Sequence, residues 1–408
     1  KDTEFIQAND LFFVLNGYDN TANYSGSAWD PGSSSTASPP TASTGAWLRN
    51  YLFLSGNPAH NDWVYFSNNL QPTLFTSTDL FKINTGDGQP VKKLEPFKNN
   101  ELIIYKTKSI WILDITGATP LTDWTLQPIS TVIGTQSPRT VVNFGNDHWL
   151  LSSEPFAVRN LVRTTYDKLL IDMVSLPIQD IFDGTGEIVL NKTQVGKACA
   201  IYFDNKYLLA IPTGTSTYND LVLVYDFIAK SWNTIDGWYP AAWAILSNDL
   251  YYMDALDGRV IKCFTGDIGD MVSGPTSTSA NEPTQAITFE YRSKDIDFDN
   301  PENYKMPDAL DMEFEASGDY EATVYIELDD RGWQEVGTIT LSSSAPTLPA
   351  DLPIVLSSDG LAKYTFQIQK YGEFKKIKTR AVQNGLNEQC NLHSFTLIGT
   401  VKNWRREN

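Results

Sequence analysis

Short apolar runs follow Asn- or Asp-rich turns at six places along the first two thirds of the chain. The turns are marked by Asn9, Asn50, Asn99, Asn146, Asn205 and Asn248, and the runs read LFFVL, YLFL, LIIY, HWLL, YLLAI and LYYM. Asn and Asp tolerate left-handed backbone angles, which suits hairpin tips. Leu, Ile, Tyr and Trp in runs of this length suit buried strands. The pattern therefore predicts a recurring β-hairpin.

The spacing of these hairpins indicates a repeat. The Asn markers are 41, 49, 47, 59 and 43 residues apart, and a period of about 40 to 50 residues is typical of β-propeller blades. We therefore predict a β-propeller of about six blades over residues 1–264, interrupted by a Ser-, Thr- and Pro-rich loop at 24–45. The alternative is an all-β chain whose hairpins share Asn turns without forming a propeller.

The pattern changes after Phe264. Residues 265–286 are rich in Gly, Ser, Thr and Pro and predict a linker. Segments such as ITFEYRSKDIDF, ATVYIELDD and KKIKTRAV then alternate apolar and polar residues. Alternation is typical of antiparallel strands with one buried face and one wet face. Residues 287–408 are therefore predicted to form a β-sandwich of the jelly-roll or immunoglobulin-like kind, which makes the whole chain all-β.

Composition agrees with a folded chain of two domains. The 408 residues are 41% hydrophobic and 12% aromatic, which argues against extensive disorder. Apolar runs stay far below the roughly 18 residues of a membrane helix, so no membrane segment is predicted. The chain begins with Lys1 rather than Met, and we expect a missing or removed segment before it.

The net charge of −18 limits the possible partners. Binding of nucleic acid through phosphate neutralisation needs clustered Lys and Arg, so we exclude that mode. A wall along which DNA slides remains possible, because a repulsive surface prevents DNA from sticking. Residues Asp295 to Asp330 carry 13 carboxylates and one Lys, which we interpret as a solvated strand face.

No local motif points to catalysis, a metal or a cofactor. His60, His148 and His393 have no second His or Cys at ligand spacing, and Cys199, Cys263 and Cys390 are too far apart for a disulfide framework or zinc site. We predict no catalytic, metal-binding or cofactor-binding residues. Paired carboxylates from distant blades, as in propeller hydrolases that act on sugars, cannot be judged from sequence spacing.

Asp295, Asp297 and Asp299 have the spacing of a calcium loop. Asn300 stands where that loop requires Gly, and the twelfth position is Met306 rather than Glu. Because Ile296 and Phe298 alternate with the three Asp residues, a strand with an acidic face explains the run.

Several longer motifs resemble propeller proteins of tailed-bacteriophage tails. They are FLSGNPAHNDWVYFSNNLQPTLF (53–75), NTGDGQPVKKLEPFKNNELIIYKTKSIWIL (84–113) and SPRTVVNFGNDHWLLS (137–152), followed by KYLLAIPTGTSTYNDLVLVYDFIAKSWNTIDG and the terminal KTRAVQNGLNEQCNLHSFTLIG. The resemblance covers about residues 46–400. Within that group the chain is most similar to the nozzle, or hub, proteins of short-tailed phages.

This resemblance implies a structural virion protein and not an enzyme. It implies a homohexameric ring beneath the adaptor of the portal, located in the phage tail. The ring would enclose the channel through which DNA is ejected, without sequence-specific binding, and would carry tail fibres or tailspikes at its side. No catalytic residues come with the family. The charge suggests a further hypothesis, that the channel wall is acidic.

Two other functions stay open. A propeller followed by a sandwich is also the build of carbohydrate-binding and glycan-degrading proteins, in which exposed Trp side chains act as sugar platforms. The candidates are Trp29, Trp47, Trp63, Trp124, Trp238, Trp243 and Trp333, although most lie in or beside apolar runs that favour core packing. The third possibility is another virion component, such as a fibre anchor or a head decoration protein.

Overall fold

The fold is built almost wholly from antiparallel β-strands. The computed structural model describes residues 2–33, 35, 37–144, 147–163, 169–264, 288–315, 320–341, 361–385, 388 and 390–402. In these residues the one α-helix is short, α1 (Gln179–Asp183). The chain divides into two compact units, Lys1–Cys263 (unit 1) and Phe264–Asn408 (unit 2). The all-β class predicted from the sequence is confirmed.

Unit 1 begins with three four-stranded sheets. Sheet 1 contains β1 (Glu4–Ala8), β2 (Leu11–Leu15), β3 (Ala22–Tyr24) and β4 (Trp29–Asp30), the last of which lies within the predicted loop 24–45. Sheet 2 contains β5 (Thr44–Leu48), β6 (Tyr51–Asn57), β7 (His60–Asn68) and β8 (Gln71–Lys82). Sheet 3 contains β9 (Val91–Phe97), β10 (Glu101–Lys106), β11 (Ile110–Asp114) and β12 (Thr125–Ser130).

Three further sheets follow in chain order. Sheet 4 contains β13 (Val142–Asn143), β14 (Asp147–Ser152), β15 (Ala157–Arg163) and β16 (Leu169–Met173). Sheet 5 contains β17 (Cys199–Phe203), β18 (Lys206–Ile211), β19 (Leu221–Asp226) and β20 (Ser231–Asp236). Sheet 6 contains β21 (Pro240–Leu246), β22 (Asp249–Asp254) and β23 (Val260–Lys262), three strands in the part that is described. Each sheet is a meander, with neighbours in sequence paired.

The predicted Asn turns join the first and second strands of these sheets. Left-handed backbone occurs at four of the Asn markers, with φ of 55°, 67°, 56° and 68° at Asn9, Asn50, Asn205 and Asn248. Asn99 lies between β9 and β10, beside the left-handed Lys98. Asn146 lies outside the described residues. The turn chemistry thus fixes where each meander begins.

Neighbouring sheets of unit 1 pack face to face. Each contact is an apolar cluster with residues from both sheets. Sheets 1 and 2 meet around Phe13 and Leu54, and sheets 2 and 3 meet around Phe53 and Ile104. The later contacts are centred on Ile103 and Leu150 (sheets 3 and 4), Trp149 and Leu209 (sheets 4 and 5), and Leu208 and Leu250 (sheets 5 and 6). Successive residues of a strand point to opposite faces, so one strand serves two clusters.

Unit 2 contains two sheets that share one core. Sheet 7 has the order β24 (Phe289–Arg292), β29 (Ile377–Gln383), β26 (Glu321–Leu328), β27 (Gln334–Thr340), and sheet 8 has the order β28 (Leu361–Gln367), β25 (Lys305–Glu315), β30 (Leu392–Val401). Met312 and Phe314 of β25 pack in one cluster with Val324, Ile326 and Ile377 of sheet 7. The alternation predicted for 287–408 is visible in β26, where every second side chain is buried. The predicted linker 265–286 lies outside the described residues.

Two adjacent Phe residues of β2 test this packing directly. Phe13 is fully buried, whereas Phe12 is 39% exposed on the other face. We expect Phe13→Ala to lower the free energy of unfolding by about 3–5 kcal/mol, because it leaves a cavity, and Phe12→Ala to cost less than half of that. Urea unfolding followed by circular dichroism gives the comparison. Equal losses at the two positions would contradict the assignment of the faces.

Candidate functional site

The first strands of the six sheets lie side by side, and we refer to the region where they meet as the axis of unit 1. β1 contacts β5, β5 contacts β9, and the series continues through β13 and β17 to β21. A cavity of about 530 Å³ opens where the first, second and third of these strands begin, beside the short 3₁₀ segment that precedes β13. Its lining includes Asp2, Glu4, Lys93 and Arg139. We call it the axial cavity.

Lys93, which lines the axial cavity, joins two carboxylates from different sheets. Its Nζ lies 2.9 Å from Oε1 of Glu4, on β1, and 3.7 Å from Oε2 of Glu95, two residues along β9. All three side chains are largely buried. Burial raises the pKa of Glu95 to about 6, although the nearby Lys93 acts to lower it. Burial alone would lower the pKa of Lys93, but the Glu4 and Glu95 carboxylates raise it above its usual value.

Both carboxylates, Glu4 and Glu95, are engaged in ion pairs with Lys93. A glycoside hydrolase needs one protonated acid and one carboxylate base or nucleophile, both facing the substrate. Here Lys93 forms an ion pair with each of the two groups. The arrangement partly compensates the buried negative charge and links β1 to β9. Sequence reasoning did not single out these three residues. The available signal was a Lys and a Glu two positions apart in the first strand of a repeat.

His148 is held by two hydrogen bonds in the core between sheets 3 and 4. Its Nε2 lies 3.0 Å from the carbonyl oxygen of Pro96, and its Nδ1 lies 2.8 Å from Oη of Tyr105. Because a carbonyl only accepts, Nε2 carries the proton, and Nδ1 of the neutral ring accepts from Tyr105. Burial lowers the pKa of His148 to about 4. The ring is therefore neutral at pH 7 and acts as a structural spacer.

Arg139 ties several elements together beside the axial cavity. Its guanidinium donates to the carbonyl oxygens of Ala241 (2.9 Å) and Lys197 (2.8 Å) and lies 3.6 Å from Oδ1 of Asp2. One side chain thus joins the segment before β1 to the starts of sheets 5 and 6. These contacts fix the inner ends of the sheets.

A second cavity lies against sheet 2. It measures about 370 Å³ and is lined by aromatic side chains of β7, by Phe75 and by hydroxyl-bearing residues of the preceding loop. The aromatic wall contains His60, Trp63 and Tyr65. The rings of His60 and Trp63 stack at 3.8 Å with an angle of 5°, and Nζ of Lys82 lies 4.6 Å from the Trp63 ring centroid. We call this the aromatic cleft.

The tryptophans proposed as sugar platforms do not share one face. Trp29 is 56% exposed, whereas Trp124 and Trp238 are buried in apolar clusters. The other four candidates are partly buried: Trp47, Trp63, Trp243 and Trp333. Of the seven, only Trp63 contributes to the aromatic cleft.

The acidic run of unit 2 is balanced by lysines of a neighbouring strand. Lys376, directly before β29, and Lys378 of β29 form ion pairs with Asp295 and Asp330, and Lys378 also pairs with Glu327. Oδ1 of Asp297 accepts from the backbone of Asp299 in a tight turn. Over the part of the chain that is described, no group of three His, Cys, Asp or Glu residues is arranged to hold a metal. The three cysteines are buried and free.

Among the residues that the structure describes, no helix has the length and hydropathy of a membrane span.

The buried carboxyl of Glu95 predicts a pH dependence. Its folded pKa of about 6 exceeds the value of an exposed carboxyl, so its contribution to stability is present below about pH 4.5 and is lost as pH rises through 6. We expect Glu95→Gln to gain stability relative to wild type by about 2 kcal/mol between about pH 4 and about pH 7.5. Urea unfolding at several pH values measures the difference, with Glu187→Gln on an exposed turn as the control for a lost charge. A difference independent of pH would refute the assignment.

Comparison with known proteins gives distant similarities. No family model matches the chain, and no curated protein sequence matches it. Similar solved structures include an exo-β-1,3-galactanase of Phanerochaete chrysosporium (9% identity, 97% of this chain, 95% of that chain, TM-score 0.31) and a glycoside hydrolase family 43 arabinoxylan arabinofuranohydrolase of Bacillus subtilis (8%, 98%, 95%, 0.26). Another is the extracellular domain of a putative one component system of B. thetaiotaomicron, with 10% identity and a TM-score of 0.41. The match covers 89% of this chain and 55% of that chain. Similarities at this level carry no inference about activity.

Proposed function

We propose that the chain is a structural component of a phage tail, a nozzle or hub protein that forms a ring around the channel for DNA ejection. In this proposal the six meander sheets of unit 1 are blades of a β-propeller, and the two sheets of unit 2 form a β-sandwich. The support is the succession of six sheets with adjacent first strands, together with the motifs that resemble nozzle proteins.

The observation that supports a non-enzymatic role is the pair of ion pairs that Lys93 forms with Glu4 and Glu95 at the axial cavity. In a propeller, the axis is where side chains from different blades converge, so a catalytic pair would be sought there. Glu4 and Glu95 do converge, but Lys93 forms an ion pair with both. A buried lysine held between two carboxylates stabilises one packing arrangement and leaves no free acid and base for chemistry.

The charge of the chain fits passage of DNA better than its retention. Six copies, each with a net charge of −18, would give a strongly anionic assembly, and an anionic channel repels phosphates. Lys376 and Lys378 are engaged with Asp295, Glu327 and Asp330, and Arg380 of β29 is engaged with Glu290. These basic side chains therefore do not form a free basic patch for DNA.

Ring assembly is the first test of this function. Light scattering and class averages of the purified protein should show a sixfold ring with a central hole, and a labelled DNA duplex should remain unbound at low salt because both partners are anionic. A protein that stays monomeric over the whole accessible concentration range, or one that retains the duplex, would contradict the proposal.

A second candidate function is carbohydrate binding at the aromatic cleft. The cleft combines ring surfaces, which pack on the apolar faces of sugars, with hydroxyl groups that can hydrogen-bond to them. Trp63 and Tyr65 project from the same side of β7, and Ser33, Ser35 and Ser38 lie opposite on the loop. This site does not depend on ring assembly, since all of its residues belong to a single copy of the chain.

Calorimetric titration with cellotetraose, maltotetraose and chitotetraose tests the carbohydrate candidate. If the cleft binds saccharides, at least one of them should bind, and Trp63→Ala should weaken that binding by about tenfold or more, because it removes the largest ring of the wall. Trp29→Ala, at an exposed tryptophan outside the cleft, is the matched control. Binding that Trp63→Ala leaves unchanged, or no binding of any of the three, would eliminate this candidate.

A further inference from the structure

The second strand of each of sheets 2 to 5 packs against two neighbouring sheets. In β6, Leu52 and Leu54 point to sheet 1, whereas Phe53 between them points to sheet 3. In β10, Ile104 points back to sheet 2 and Ile103 points forward to sheet 4. The second and fourth residues of these strands therefore face the preceding sheet, and the third residue faces the following sheet.

The same register holds along the series. The backward-facing residues are at most 3% exposed in sheets 2 to 6: Leu52, Leu54, Leu102, Ile104, His148, Leu150, Tyr207, Leu209, Leu250 and Tyr252. The forward-facing third residues are equally buried in sheets 1 to 5: Phe13, Phe53, Ile103, Trp149 and Leu208. Each internal interface is thus a forward face packed on a backward face.

Among the described residues, no sheet covers the backward face of sheet 1. Phe12, at the second position of β2, is 39% exposed, and its partners across the sheet, Tyr24 and Trp29, are 41% and 56% exposed. Phe5 on β1 is 59% exposed and stacks on Phe12 at 5.4 Å. Four aromatic side chains, one from each strand, therefore form an exposed apolar surface, the sheet 1 face.

The forward face of sheet 6 is exposed in the corresponding way. Met253, at a forward-facing position of β22, is 45% exposed, and Val260, its partner on β23, is 71% exposed. Leu246 at the end of β21 is 65% exposed on the same side. We call this surface the sheet 6 face. Both faces are exposed at once, so they do not cover each other within the chain.

We propose that the sheet 6 face of one copy packs on the sheet 1 face of the next copy. The chain repeats one kind of contact five times, forward face on backward face, and ends with one unused face of each kind. A second copy supplies the complement of both. Contact between two different faces is head-to-tail, and such contacts close into a ring when the rotation permits. The inference rests on the proposed ring assembly and names the surfaces that make it.

Charged substitutions on each face test the contact. Phe12→Glu blocks the sheet 1 face and Met253→Glu blocks the sheet 6 face, and both positions are exposed enough to accept Glu without loss of the core. Each variant alone should weaken self-association by about tenfold or more, because a charge would be buried at the interface. Ile228→Glu, at an apolar residue that is 80% exposed on a turn of sheet 5, is the matched control and should assemble like wild type.

A mixture of the two variants gives the sharper result. The intact sheet 6 face of Phe12→Glu should dock on the intact sheet 1 face of Met253→Glu, so an equimolar mixture should form a dimer and stop there. Light scattering measures the masses, and circular dichroism verifies the fold of each variant.

Four outcomes would overturn the inference. In the first, assembly of both variants matches that of wild type, which refutes this interface but not the ring. In the second, the variants assemble less but their mixture stays monomeric. In the third, both variants lose stability without a change of mass, which would mean that the faces close on each other within one chain. In the fourth, wild type itself never associates, and the proposed function fails as well.

Discussion

The burial of both faces of sheets 2 to 5 is the constraint on which unit 1 depends. A strand places alternate residues on opposite faces, so a run such as YLFL or LIIY, apolar at every position, needs a neighbouring sheet on each side. Leu52, Phe53 and Leu54 meet that need in three consecutive positions and are all fully buried. Burial of this kind stabilises by roughly 25 cal/mol per Å² of apolar area. A series of sheets is the arrangement that satisfies it repeatedly.

The same constraint explains the polar groups at the axis. Residues in the first strands lie where several sheets converge, and a charged group there loses its water. Such a group is tolerated when it is paired. Lys93 meets this condition through Glu4 and Glu95. His148, on the second strand of sheet 4, meets the same condition in the core by remaining neutral between Tyr105 and Pro96. The packing of sheets side by side along their first strands therefore accounts for the ion pairs of Lys93.

Local features of the fold could be predicted from the sequence because they depend on local chemistry. Asn9, Asn50, Asn205 and Asn248 adopt the left-handed angles that their side chains tolerate, and the alternation in β26 follows from one wet face. Long-range pairings could not be predicted. Nothing within KKLEPF shows that Lys93 will meet Glu4, 89 positions earlier. Likewise FF in LFFVL does not show that Phe13 is covered while Phe12 is left open.

The contrast between Phe12 and Phe13 bears on function, because an apolar face on a surface needs a reason. Isolated exposed apolar residues are ordinary, but contiguous exposed apolar patches mark interaction sites. The axial cavity is lined by Lys93 and Glu4, which form an ion pair. The distinctive surfaces of unit 1 lie instead at the two ends of the sheet series. That distribution supports the proposed assembly, because the specificity of a ring lies where its copies meet.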